Sequence, residues 1–245
     1  MDSGYYAAFA GWLARSQALD VAAGNLANAG TAGYRAERDY FRSAMIGPDA
    51  LQSQLNQTVN NFGLLGGSRL DLGQGALTPT GNPLDLAVEG DGFFAIKTGQ
   101  GIRFTRDGQF ERAQDGSLTT QAGEPVLDAS YQSIRTPPGQ TVVGADGSVS
   151  VSGAIAGKIA LFAFAPGTEL AAEGANRYGA PAGAQPTAAQ GEIHQGALES
   201  SNQDVIGGSL ELVLMQRQAE MMQKAVSIFS NDLDKTASED LPRVP

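Results

Sequence analysis

The chain has no cysteine among its 245 residues, so disulfides and thiolate-held metals are both excluded. It has a single histidine, His194. With no second histidine and no cysteine, Glu192 beside it cannot complete a metal set, and a surface or loop position accounts for it. No serine sits in a nucleophile elbow, and none has a histidine-based triad within reach of sequence logic beyond His194 itself. Basic residues are scarce, 16 Lys and Arg against 26 acids, giving a net charge of −10 with no basic run. Phosphate neutralisation needs clustered cations, so nucleic acid is excluded as a partner. No stretch approaches 18 apolar residues, and no membrane insertion is expected. The opening Met1-Asp2-Ser3-Gly4 lacks a basic n-region, and Gly11 and Arg15 interrupt the apolar run behind it, so no cleaved leader is read there. Gly90-Asp91-Gly92 lacks the later glycine, lysine and helix of a phosphate loop. The Asp-Gly pairs do not fall at calcium-loop spacing. Catalytic, cofactor-binding and metal residues are therefore read as none, and the chain as a non-enzyme.

What the sequence does carry is a long helical pattern at each end. From Val205 to Leu233, Leu212, Met215, Ala219, Met222, Val226, Phe229 and Leu233 step alternately by three and four, an a/d seam of the coiled-coil kind. Leu214, Met221 and Ile228 form a second stripe, spaced by seven and away from that seam. Over residues 4 to 27, Tyr5, Phe9, Trp12, Ser16, Leu19, Ala23 and Leu26 repeat the pattern, and Asn28, Gly30 and Gly33 end the helix. One stripe needs one partner and two stripes need several. The first helix is expected to cover the seam of the last, leaving Leu214, Met221 and Ile228 for neighbouring molecules; with that stripe, Tyr5, Phe9, Trp12, Leu19, Leu26, Leu212, Met215, Met222, Val226 and Phe229 are read as subunit-interaction residues. A fold of the α+β class follows: N- and C-terminal helices forming a coiled-coil-like helical domain, with a central all-β domain inserted between them.

Between the helices, 32 glycines in the chain, concentrated from 63 to 208, mark a zone of turns. Tyr34 to Phe41 reads as extended chain, Asp49 to Gln57 as a short helix started by Pro48, and 35–69 as a connector. From Arg69 onward strands dominate. Leu84 to Glu89 and Phe93 to Lys97 are expected to pair across a Gly90–Gly92 turn. Arg103 to Arg106 follows, then strands at 117–120, 125–127 and 148–152 flanking Asp115-Gly116 and Asp146-Gly147. Lys158 to Phe164 is the most apolar strand. Ala171 to Ala189, rich in Ala, Gly and Pro, reads as a flexible loop. The expected division is 1–34 with 200–233 as the helical domain, 70–199 as the β domain, and 234–245 as a polar tail.

Three motifs then fall in order. Leu19 to Tyr34, with Asn25, Leu26, Asn28, Gly33 and Tyr34, resembles the N-terminal signature of flagellar axial proteins of the rod and hook family. Gln74 to Phe94, with Gly81, Asn82, Pro83, Leu84, Asp85, Gly90, Gly92, Phe93 and Phe94, and then Phe104 to Phe110, is similar to that family's central motif. Gln195 to Asn202, with Leu198 and Asn202, is similar to its C-terminal signature. Val143 to Ser150 and the short span ahead of the β motif resemble the proximal-rod branch. The resemblance implies a structural subunit of the basal-body rod that polymerises with itself and other rod proteins through its terminal helices. It implies export through the flagellar type III apparatus to the periplasm, without a cleaved signal and without a cofactor. A distal-rod or hook-type subunit is the alternative within the family. Outside it stand a rod-associated wall-degrading enzyme using Asp85, Glu89 and Asp91, and a secreted coiled-coil adhesin.

Overall fold

The structure, a computed structural model, describes residues 2–42 and 64–240, so the short helix expected at Asp49 to Gln57 and the last five residues lie outside it. Tyr5, Phe229 and Leu233 lie on described helices, but their side chains fall outside the described residues. The chain divides into two compact units. One comprises 1–27, 37–69 and 205–245, the other 28–36 and 70–204.

The first unit holds two helices, α1 (Asp2–Ala27) and α2 (Val205–Asp240), and a two-stranded sheet of β1 (Glu37–Arg42) and β2 (Leu64–Leu70). α1 packs on α2 and on β1. α2 runs seven residues past the end expected at Leu233, through Asp234 to Asp240, a stretch that the sequence reading places in the polar tail.

The second unit contains the remaining strands. β3 (Leu77–Pro79) pairs with β17 (Ala197–Glu199), and β4 (Leu86–Glu89) with β16 (Glu192–Gln195). β7 (Phe110–Arg112) and β8 (Leu118–Thr120) form a hairpin around Asp115-Gly116. β9 (Thr141–Val143), β10 (Ser148–Val151) and β11 (Ala154–Lys158) form a three-stranded sheet with Asp146-Gly147 at the first turn. The largest sheet has the order β13-β14-β6-β5-β12-β15, formed by β5 (Phe93–Thr98), β6 (Gly101–Thr105), β12 (Leu161–Ala163), β13 (Ala171–Ala172), β14 (Tyr178–Gly179) and β15 (Thr187–Ala188). β5 is buried on both faces, which is why Phe93-Phe94-Ala95-Ile96 shows no polar alternation. Phe94 and Ile96 enter one core with Leu86, Val88, Val149 and Leu161. Phe93 and Ala95 enter a second with Phe104, Phe162 and Tyr178. In the first core the ring of Phe110 meets Phe94 edge-on at 5.1 Å.

The expected fold class is corrected. Among the described residues there are two helices against seventeen strands, a β-rich chain with one helix toward each end. The helices expected at the two ends are present, but the expected coiled-coil seam is not their buried row. The buried row of α1 is Ala8, Gly11, Ala14, Ala18, Ala22 and Asn25, one position away from the expected aromatic row. Phe9 is 42% exposed, Ala23 is exposed, and Trp12, Ser16, Leu19 and Leu26 are half-buried. Small side chains let backbones approach closely, so the helix turns its Ala/Gly row inward rather than its largest residues. On α2 the expected seam residues Leu212, Met215, Ala219, Met222 and Val226 are only half-buried.

Two further readings change. Gly90–Gly92 is a corner rather than a hairpin, because β4 pairs with β16 while β5 pairs with β6 and β12. Gly90 (φ +86°) and Gly92 (φ +132°) take backbone conformations that L side chains avoid, and a Cβ on Gly92 would lie 2.8 Å from that of Ala189. The 171–189 stretch supplies three short strands instead of a loop, and its Tyr178 is fully buried.

Candidate assembly site

In the second unit, the three sequence motifs converge on one buried cluster. Glu199, at the end of β17, has no exposed side-chain surface. Its Oε1 accepts from Arg35 Nη2 at 2.7 Å and from the backbone N–H of Gly75 at 2.8 Å, and its Oε2 accepts from Arg106 Nη1 at 3.1 Å. Arg106 also donates to the carbonyls of Val88 and Gly90, at 3.4 and 2.7 Å. Its guanidinium carbon lies over the Phe93 ring, 5.1 Å from the centroid. Burial lowers the pKa of Arg106, and the neighbouring Arg35 adds to that, while Glu199 opposes both. Charges this deep persist only when paired and hydrogen-bonded, so the cluster is a structural lock.

The N-terminal motif enters through Gly33, whose N–H donates to the Glu199 carbonyl at 2.7 Å. At φ +68°, a Cβ there would fall 2.2 Å from the Asp107 nitrogen, so the position requires glycine. Tyr34 is half-buried and donates its N–H to Thr31, while Asn28 accepts from Thr31 as the chain leaves α1. The C-terminal motif contributes Asn202. Its Oδ1 accepts from the Ala36 N–H at 2.8 Å, and its Nδ2 donates to the carbonyls of Asp71 and Gly73 at 2.7 and 3.0 Å. Leu198 is half-buried on β17, paired with Thr78.

The Gly81-Asn82-Pro83-Leu84-Asp85 segment is a closed turn. Asp85 accepts from Thr80 Oγ1 at 2.6 Å and from Asn82 Nδ2 at 2.8 Å, and the Gly81 N–H donates to Gly196 at 3.1 Å. Gln195 Nε2 donates to the Pro83 carbonyl at 2.7 Å, and Leu84 packs against the core. Both Asp85 oxygens are thus taken by the turn itself. Glu89 and Asp91 are exposed, with Glu89 2.5 Å from His194 Nε2 on β16, so the three acids form no shared cleft. His194 sits on a strand, half-exposed, rather than in a loop.

In the first unit, Asn25 is buried and clasps β1 from α1. Its Nδ2 donates to the Glu37 carbonyl and its Oδ1 accepts from the Glu37 N–H, both at 2.8 Å. Beside it Arg38 pairs with Glu211 of α2 at 3.4 Å. Burial raises the Asp39 pKa, and nearby Glu37 and Glu211 add to the rise. On α2, Leu214, Met221 and Ile228 are 57%, 57% and 60% exposed. The stripe is longer than the sequence reading gave it. Ile206, Leu210 and Val213 extend it toward the start of the helix, all exposed, and Arg217 and Lys224 lie within it. Counting only by seven missed these residues: steps of four back from Leu214 lead to Leu210 and Ile206, and Val213 adjoins Leu214. The Arg35–Glu199–Arg106 lock was also missed. Glu199 and Arg106 stand inside quoted motifs, but nothing local in the sequence ties them together.

Comparisons with known proteins place the chain among flagellar rod and hook proteins. Residues 6–35 match a family model described as flagella basal body rod protein. Residues 87–151 match one described as flagellar hook protein FlgE/F/G D1 domain. The chain is similar to the flagellar basal-body rod protein FlgF of Caulobacter vibrioides, 32% identical with all of both chains covered. It is similar to FlgF of Mesorhizobium japonicum, 34% identical over 89% of each chain. It is also similar to the flagellar basal-body rod protein FlgG of Bacillus subtilis, 32% identical over 81% of this chain and 84% of the other.

Proposed function

The chain belongs to the FlgF family of flagellar basal-body rod proteins, and from that premise we propose that it is a structural subunit of the proximal rod. It reaches the periplasm through the flagellar type III apparatus and assembles there with copies of itself and with other rod proteins. The terminal helices carry the polymer contacts, and the lock around Glu199 holds the chain segments that lead into them.

The observation that carries this reading is the exposed apolar stripe of α2, with Leu214, Met221 and Ile228 more than half open to solvent. A folded chain leaves so many large apolar residues exposed along one helix, even with Arg217 and Lys224 among them, where another protein covers them. Met221→Asp tests it by placing a charge in the middle of that row. The second unit is expected to keep its native circular dichroism and melting point, while the variant disappears from isolated basal bodies and the cells stop swimming. Normal incorporation and swimming would remove α2's stripe from the polymer contacts.

A further inference from the structure

The chain passes between its two units at 27/28, 36/37, 69/70 and 204/205. Within the second unit every passage belongs to one of three segments: 28–36, the stretch that starts at 70, and the stretch that ends at 204. A single side chain ties all three together. Asn202 Oδ1 accepts from the Ala36 N–H at 2.8 Å, and its Nδ2 donates to the carbonyls of Asp71 and Gly73 at 2.7 and 3.0 Å. Its main-chain N–H donates to the Tyr34 carbonyl at 3.4 Å, and the Asp71 N–H donates to the Ala36 carbonyl at 2.7 Å. A primary amide offers two donor hydrogens and one acceptor oxygen. Both polar atoms of the Asn202 side chain are thus spent on the main chain of the other two segments.

We infer that Asn202 is a load-sharing clasp: a twist that enters the second unit through one passage is carried by all three segments, because they are tied at one point. A chain between compact units bends where a few loop residues absorb changes in φ and ψ. Residues 34–36, 71–76 and 201–204 lie in no described helix or strand, so the backbone at the passages has that freedom. Held by Asn202, the segments bend together or not at all. The clasp differs from the Glu199 lock in being uncharged and less enclosed. Asn202 and Asp71 are half-buried and Gly73 is exposed, whereas Arg35 and Glu199 are sealed from solvent. Hydrogen bonds that water can replace add little to the stability of a fold. What this one adds is position. The inference rests on the rod reading, since it is a rod driving motility that is loaded in twist.

Two full-length variants test the clasp. Asn202→Ala removes every side-chain bond, whereas Asn202→Asp has the same size and keeps an acceptor for the Ala36 N–H while losing the donors to Asp71 and Gly73. In the purified chain the Ala36 amide is expected to exchange about tenfold faster in the Ala variant and at the parent rate in the Asp variant. Protection of β4, β5 and β10 should match the parent in both, which shows that the second unit is folded. In cells, both variants are expected in isolated basal bodies at the parent's level, with normal swimming in dilute medium. As the medium is thickened with methylcellulose, cells of either variant should stop swimming and shed flagella broken at the rod, counted by electron microscopy, at viscosities where parent cells still swim intact. An unchanged Ala36 amide in the Ala variant, or a parent-like viscosity profile in either variant, would overturn the clasp and leave the rod reading standing. So would variants missing from basal bodies that admit the parent chain, because Asn202 would then serve folding or entry rather than load. A parent chain absent from basal bodies would overturn the rod reading and this inference with it.

Discussion

Tyr178 is expected to govern the alkaline side of the second unit's stability. Its hydroxyl accepts from the Arg35 N–H at 3.0 Å, and burial pushes its pKa up to about 12, against the pull of that hydrogen bond and of the Arg35 charge. A phenol whose folded pKa lies above its unfolded value of about 10 contributes stability that is complete below pH 10 and is lost as pH climbs from 10 toward 12. The loss across that window is roughly 2–3 kcal/mol. Tyr178→Phe is expected to cost about 1 kcal/mol at neutral pH, because the Arg35 N–H loses its acceptor. It should also flatten the alkaline loss. Urea melts of both chains at intervals from pH 8 to 11.5 measure this, and parallel pH profiles would show that Tyr178 does not control the transition. Burial of this kind has no signature in the sequence, where Tyr178 stands in a stretch dominated by Ala, Gly and Pro.

At the level of elements, α1 shows that a strong pattern need not mark the face that packs within the chain. Phe9, Trp12, Leu19 and Leu26 are the large apolar residues, and their heptad-like spacing is real, yet the row that packs is Ala8, Ala14, Ala18 and Ala22. Periodicity weighted by side-chain size gives alanine little weight, whereas helix packing depends on how closely two backbones can approach. Ala18→Leu is expected to overpack this contact by about 1–3 kcal/mol. It should weaken the helical unit, read as lower helicity at 222 nm and earlier proteolysis of α2, and leave the melting of the second unit unchanged. Undiminished helicity would mean that the alanine row has room to spare. The strand regions were more legible, because Asp115-Gly116 and Asp146-Gly147 mark local turns that need no long-range information. The Gly90–Gly92 corner was not, since turn residues specify that a chain bends but not which strand lies beyond the bend. The lock was the least legible, with Arg35 and Glu199 separated by 164 positions and Arg106 and Glu199 by 93. Only the convergence of three separate motifs hinted that distant segments meet.

Across the whole molecule, the two units are built to different standards of burial. The second encloses two apolar cores, with Val88, Phe94, Ala95, Val126 and Val149 fully removed from solvent. In the first, α1 buries a row of small residues, and among the described α2 residues only Gly208 is buried. Small and half-covered side chains contribute little transfer free energy, while fixing each helical residue still costs about 1–2 kcal/mol of backbone entropy. The helices of an isolated subunit are therefore expected to open far more often than the β cores. Hydrogen exchange on the purified, unpolymerised chain should find amides over 209–228 at least about a hundredfold less protected than those of β4, β5 and β10, a difference of about 3 kcal/mol in opening free energy. In isolated basal bodies the same amides should slow toward the rate of the β cores, as the proposed polymer contact over the stripe from Leu210 to Ile228 requires. Equal protection of α2 and the β strands in the free subunit would mean that α2 is already complete within one chain, leaving assembly nothing to stabilise there. Fast exchange that persisted in basal bodies would instead locate the polymer contact on some other surface.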